Sequence, residues 1–198
     1  LIDKMMTVAG NLNNLGENEY KVRTYPIGTI LSDIIEEFGG VRENAGEIII
    51  GGPYTGHTML EEEILSKTVG GIIVADQCEQ VEKLGIIRCA CGPNKERLLH
   101  IAEMMGVKEE DLVGYETCKN AIEVKPGVLK CKNPGVCPGQ ASKVLNLYKN
   151  GAKDILIGHC TDCSNTVAAN VANIPVEMHH ATDHAKDSMG MERTRAMK

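Results

Sequence analysis

Tryptophan is absent from the 198 residues and phenylalanine occurs once. With aromatic residues at 3%, the chain cannot build the stacking platforms that hold single-stranded nucleic acids. A net charge of -6 argues the same way, because phosphate backbones are bound by surplus lysine and arginine. No apolar run approaches the ~20 residues that cross a bilayer, so no transmembrane segment is expected. No signal peptide is recognisable. The composition, with 42% hydrophobic residues and only seven prolines, excludes a disordered tail, a collagen and a disulfide mini-protein. The length suits one large domain or two small ones. The first residue is Leu1 rather than Met, and the chain reads as a fragment of something longer, acidic and cytoplasmic, at most peripheral to a membrane.

What is present is unevenly divided. Residues 1–75 hold five basic and eleven acidic side chains, and residues 76–198 hold sixteen of each, so the first part carries the whole net charge. All eight cysteines and five of the six histidines lie after Ala75. Two domains are expected, 1–75 a plain scaffold and 76–198 reactive. The cysteines cluster as Cys89-Ala-Cys91, Cys131 with Cys137, and Cys160-Thr-Asp-Cys163. In a reducing compartment such spacing points to metal binding or redox chemistry rather than to a disulfide framework.

Along the first part, Met6–Ala9, Glu19–Thr24, Glu47–Ile50 and Val69–Ala75 read as strands. A helix is expected from Ile30 to Phe38, capped by Thr29 and stopped by Gly39-Gly40. Gly51-Gly-Pro-Tyr-Thr-Gly56 lacks the lysine and helix cap of a phosphate loop and reads as a structural turn. A hairpin, one helix and further strands make a small α+β fold of the β-grasp kind. The second part alternates strands and helices, with strands at Leu84–Arg88, Asp111–Tyr115, Asp154–Gly158 and Pro175–Met178. Helices fall at Asn94–Met105, Gln140–Lys149 and Ser164–Val171, with a last one beyond His184. Such alternation predicts an α/β unit with a parallel sheet.

Each of these four strands runs into cysteine or histidine, and the carboxyl ends of parallel strands form the ligand crevice. Cys91, Cys137 and Cys163 lie just before or at helix starts, where the macrodipole favours a thiolate. Cys160-Thr-Asp-Cys163 at such a place is the arrangement of dithiol oxidoreductases, with Cys160 as exposed attacker and Cys163 as partner. His159 is then a nearby base or cation, and Cys131 with Cys137 forms a second pair. Cys89, Cys91, Cys118 and His179 are candidate metal ligands. His180 and His184 belong to the same histidine-rich strand end, while Cys78, His57 and His100 read as structural. Three classes fit: a dithiol electron-transfer module, an iron–sulfur protein with thiolates from separate strand ends, and a structural zinc-binding interaction domain. A single Cys-x-x-Cys knuckle counts against zinc.

Val8-Ala-Gly-Asn11, Pro26-Ile-Gly-Thr29, Phe38-Gly-Gly40 and Ile50-Gly-Gly-Pro53 occur in the order that resembles the soluble-ligand-binding β-grasp (SLBB) domain, over roughly Thr7 to Asp76. More narrowly, the stretch is similar to the version in the C subunit of Rnf electron-transport complexes. Those subunits continue with ferredoxin-type cluster motifs, which the cysteine-bearing α/β unit replaces here. The combination, with Cys131-Lys-Asn-Pro-Gly-Val-Cys-Pro-Gly-Gln140 and Gly158-His-Cys-Thr-Asp-Cys163, resembles the PrdC-type electron-transfer proteins associated with proline reductase in amino-acid-fermenting anaerobes. The strand-end pattern also faintly resembles the small delta subunit of heterodisulfide-reductase-linked hydrogenases. The resemblance implies electrons drawn from NADH through a flavin (FMN) in a preceding region and passed to a reductase partner.

Overall fold

The computed structural model describes residues 2–193, and at 161 and 162 the backbone only. The chain is mixed α/β and divides into two compact units. The first runs through Cys78 and takes back Thr182–Arg193; the second is Glu79–Ala181.

The first unit is built on one mixed sheet. Its strands are β1 (Asp3–Gly10), β2 (Tyr20–Pro26), β3 (Ala45–Ile50), β4 (His57–Thr58) and β5 (Gly71–Asp76), in the spatial order β2-β1-β5-β3-β4. β1 and β5 are parallel neighbours, and every other pairing is antiparallel. The first five residues of the central strand β5 are all buried. Period-two alternation explains why an unbroken apolar run is needed there. Ile72 and Val74 face the cluster formed with Leu31, Ile34 and Ile35 of helix α1 (Leu31–Glu37). Ile73 and Ala75 face the opposite side, with Ile49, Ala185 and Met189. Each fully buried Ile or Leu contributes roughly 1.5–3 kcal/mol by leaving water.

That second face accounts for the one element the sequence misassigns to the α/β unit. Helix α5 (Asp183–Asp187) covers the far side of β5 and belongs to the first unit. It is pinned by His184 Nε2, which lies 2.7 Å from Glu47 Oε2 in a pair with side chains 4% and 0% exposed. Glu47 Oε1 also accepts from Thr58 Oγ1 at 2.6 Å. Thr29 is not the cap of α1: Ile30 occupies that position without a side-chain bond, and the Thr29 hydroxyl donates to Pro26 O at 2.8 Å. It closes the preceding turn instead.

The second unit carries a wholly parallel four-stranded sheet. Its strands β6 (Leu84–Arg88), β7 (Gly114–Thr117), β10 (Asp154–Ile157) and β11 (Glu177–His180) are ordered β11-β10-β6-β7. The chain starts in the middle, steps one way to β7, then returns past β6 to β10 and outwards. Between β6 and β10 the strand order reverses, and such a switch point opens a crevice beyond the strand ends. Helices α2 (Lys95–Met104), α3 (Ala141–Lys149) and α4 (Thr161–Val171) connect the strands. Asn94 caps α2 by accepting from the Arg97 N–H at 2.8 Å. Val144 and Leu147 of α3 and Val167 and Val171 of α4 pack with Ile87, Ile155 and Ile157 into one core. The stretch read as irregular before α3 contains a separate hairpin, β8 (Ala121–Lys125) with β9 (Val128–Cys131).

Candidate functional site: a convergence of thiols

Three adjacent strands of the parallel sheet deliver cysteines at their carboxyl ends. Cys89 and Cys91 follow β6, Cys118 follows β7, and Cys160 with Cys163 follows β10. The Cys118 N–H donates to Arg88 O at 2.9 Å, continuing the ladder past the end of β7. The hairpin brings in Cys131 at the end of β9, and Cys137 enters from the loop before α3. Cys78 belongs to the other unit. None of the eight cysteines is in a disulfide.

Two sulfur pairs are close enough for each thiol to perturb the other. Cys160, half-buried at the N-cap of α4, neighbours Cys163. Cys163 is buried in the first turn of that helix. Cys131 neighbours Cys91. The sequence expectation sets Cys131 with Cys137, and the hairpin also brings Cys131 to Cys91, which follows β6. Cys137 lies near Gln140, whose Nε2 is 3.9 Å from its sulfur and 3.1 Å from that of Cys118. The Cys91 N–H points at Cys89 Sγ, 3.5 Å away.

Burial, not the helix dipole, governs these thiols. It pushes Cys89 up to about 12, and it raises Cys91 and Cys163, each helped by neighbouring sulfurs: Cys131 for Cys91, Cys160 for Cys163. The expectation that Cys91 and Cys137 sit at helix starts, with a stabilised thiolate at Cys91, is corrected. α2 begins at Lys95 and α3 at Ala141, each four residues further on, and the dipole's influence fades within one turn. Cys163 does sit in a first turn, but removal from water outweighs the dipole.

His159 is neither the cation nor the general base expected beside Cys160. It is 1% exposed, and burial, then His180, lowers it to about 4. Neither ring nitrogen has a hydrogen-bond partner among the described residues, so it is a buried neutral ring with nothing to relay a proton to. Its carbonyl accepts from His180 Nε2 at 2.7 Å and from Ser164 Oγ at 3.0 Å. Those bonds fix the backbone just before Cys160.

His179 is not gathered with Cys89, Cys91 and Cys118. Its Nε2 is 2.9 Å from Asp154 Oδ1, at the start of β10 rather than at its cysteine-bearing end. Asp154, Glu177 and His179 form the one group among the described residues whose three ligand atoms all lie within 4.8 Å of one another. A tetrahedral zinc with bonds of about 2.3 Å needs sulfurs only ~3.8 Å apart. Among the described residues no three thiols are that compact; they meet in pairs.

Sequence reasoning passed over Gln140 as a site residue. It is fully buried, donates to two of the thiols, and its Oε1 lacks a partner among the described residues. Its position directly after Cys137-Pro-Gly and before an apolar helix was the available signal. Gly158 is a second such residue. A Cβ there would stand 2.8 Å from Pro93 Cδ, so the bare backbone lets the Cys91-Gly-Pro93 loop close against the approach to Cys160.

Comparison of the chain with protein-family models, with curated proteins and with solved structures finds no match.

Proposed function

We propose that the second unit is an electron-transfer domain that carries two electrons at a time on the Cys160–Cys163 dithiol. The observation that carries this reading is the asymmetry of the pair, a half-buried sulfur at a helix N-cap beside a buried one in the first turn. An incoming thiolate attacks Cys160 Sγ of the oxidised pair, and Cys163 departs and takes up a proton. A second donor thiol then displaces Cys160. The donor leaves as a disulfide, and two electrons and two protons have entered this chain. Cys91 with Cys131 is the second dithiol.

The wider reading places the chain with the Rnf C-subunit-like and PrdC-type electron-transfer proteins. A leading hairpin, helix α1 against one sheet face, and first and last strands running parallel at the sheet centre support an SLBB-like β-grasp for the first unit, to which α5 is added. In that reading electrons originate on NADH and a flavin outside this chain and leave to a reductase of the proline reductase kind. No helix among the described residues is long and apolar enough to cross a membrane.

The test is equilibration of the chain, without oxygen, against dithiothreitol couples of graded potential, followed by thiol labelling and intact mass. A two-electron transition that disappears in Cys160→Ser supports the dithiol. A chain whose Cys160 and Cys163 label as free thiols at every potential would overturn it. Seven converging sulfurs favour one other reading, an iron–sulfur cluster held by strand-end thiolates. Its signature is visible absorption after anaerobic incubation with iron and sulfide, lost in Cys89→Ser.

A further inference from the structure

Hydrophobic packing does not explain the segment between Cys118 and Gln140. Strands β8 and β9 form a two-stranded sheet joined to no other strand, and a lone hairpin is marginal in water. No residue from Lys119 to Gly139 is among the buried core. The register sets Ala121 opposite Cys131, Ile122 opposite Lys130, and Glu123 opposite Leu129. Opposed residues share a face, so Ala121, Glu123, Leu129 and Cys131 lie on one side, and all but the exposed Glu123 are half-buried. The other side takes Ile122 and Lys130, and alternation adds Val124 and Val128. That side is open: Ile122, Val124 and Val128 are 37%, 50% and 51% exposed.

Charge distinguishes this face from an ordinary exposed hairpin. Residues 119–132 contain four lysines and one acid, Glu123, so a local surplus of three positive charges (four less one) stands on a chain of net charge -6. The Glu123 carboxylate is engaged in accepting from the Gly127 N–H at 2.7 Å, which braces the turn. Lys125, Lys130 and Lys132 are exposed. An apolar centre rimmed by one sign of charge gives contact area in the middle and steering at the edge. The reverse side of the same two strands carries Cys131, a neighbour of Cys91, which in turn lies near Cys160, so a protein seated here stands next to the thiols.

We propose that the β8–β9 hairpin is the docking surface for an acidic protein dithiol, which exchanges electrons with the Cys160–Cys163 pair; this rests on the dithiol reading above. The partner's first thiolate attacks Cys160 Sγ, the intramolecular S–S bond breaks, and Cys163 takes a proton. The partner's second thiol resolves the mixed disulfide, so the partner is oxidised to its disulfide and this chain is reduced by two electrons. The complementary surface is an apolar patch ringed by Asp and Glu. A second copy of this chain would bring lysines against lysines across a two-fold axis, and the charge disfavours it.

The experiment follows reduction of the oxidised full chain by thioredoxin, an acidic protein dithiol, and by dithiothreitol, which has no surface to dock. Lys130→Glu/Lys132→Glu and Ile122→Ser/Val128→Ser are compared with the native chain at low salt and at ~0.5 M salt. The thioredoxin rate is expected to fall about tenfold with salt and about tenfold in the charge-reversed variant. The dithiothreitol rate is expected to stay constant throughout. Thioredoxin rates that track the dithiothreitol rates across variants and salt would overturn the proposal. If dithiothreitol finds no disulfide to reduce, the dithiol reading has failed and docking is judged separately, by anisotropy of fluorescently labelled thioredoxin. Binding weakened about tenfold by charge reversal keeps the surface; equal binding removes it.

Discussion

Cys163 lies buried in the first turn of helix α4 beside Cys160, which stays half-buried at the helix N-cap. This division of labour is what two-step thiol exchange requires, since one sulfur must be reachable and the other must wait in place. Cys163→Ser is therefore expected to trap a mixed disulfide at Cys160 on incubation with glutathione disulfide, one glutathione leaving as the free thiol, and the adduct is visible in the intact mass. Cys160→Ser should accumulate none. Equal adduct in both variants would make the asymmetry functionally empty.

The buried thiols make the reduced protein sensitive to alkali. Cys89 is raised from an ordinary value near 9 to about 12, chiefly by burial. The folded chain thus keeps a proton that the unfolded chain releases, and stability falls as pH rises through that window. Below the unfolded value the contribution is complete. Denaturant midpoints of the reduced protein should drop between pH 8 and pH ~10.5. Cys89→Ser, whose hydroxyl does not titrate there, should show a shallower drop; an identical slope would assign the loss to other groups.

In the first unit, His184→Ala removes one partner of a pair whose carboxylate is fully buried. Leaving a buried acceptor without its hydrogen-bond partner typically costs about 1–3 kcal/mol. A comparable cost is expected for Glu47→Ala, which also strands the Thr58 hydroxyl. Thermal or denaturant unfolding checks both. A loss under about 1 kcal/mol would mean that α5 is held by apolar contact alone.

Gly158→Ala places a methyl group against the Pro93 ring. Overpacking of this kind costs about 1–3 kcal/mol. Because the ring belongs to the loop that carries Cys91, the alkylation rates of Cys91 and Cys160 should change together. Gly70→Ala is the control, since nothing lies within 4 Å of the added carbon.

Gln140→Leu removes the amide that donates to the sulfurs of Cys118 and Cys137. A neutral hydrogen bond is worth about 0.5–1.5 kcal/mol net, and the loop carrying Cys137 loses its tie to the buried amide. Iodoacetamide labelling of Cys137 is expected to speed up several-fold as the loop loosens. Unchanged labelling would limit Gln140 to a packing role.

Much of the architecture was legible in local pattern. Short apolar runs marked β1, β3, β5 and β6, alternation marked β2, and the alternation of strands with helices in the second unit announced a parallel sheet. Strand-end cysteines could be placed at one edge because parallel strands all point their carboxyl ends the same way. What local pattern could not show was which sulfurs meet. The pairing of Cys131 with Cys91 depends on a hairpin with little apolar signal, and Gln140 reached the thiols only once α3 was docked. The charge of His159 was misjudged for a related reason, since a ring's protonation follows its burial.

Sequence alone thus determined the element types, the two-part division of charge and sulfur, and the convergence of cysteines on one sheet edge. Each follows from short-range periodicity and from the direction in which strands run. Tertiary structure alone decided that α5 returns to the first unit, that His179 turns to Asp154, and that burial raises the thiols a helix dipole was expected to lower. Those outcomes depend on which faces are left uncovered after the strands assemble and on how much water each group loses, and neither quantity is carried by any local stretch of chain.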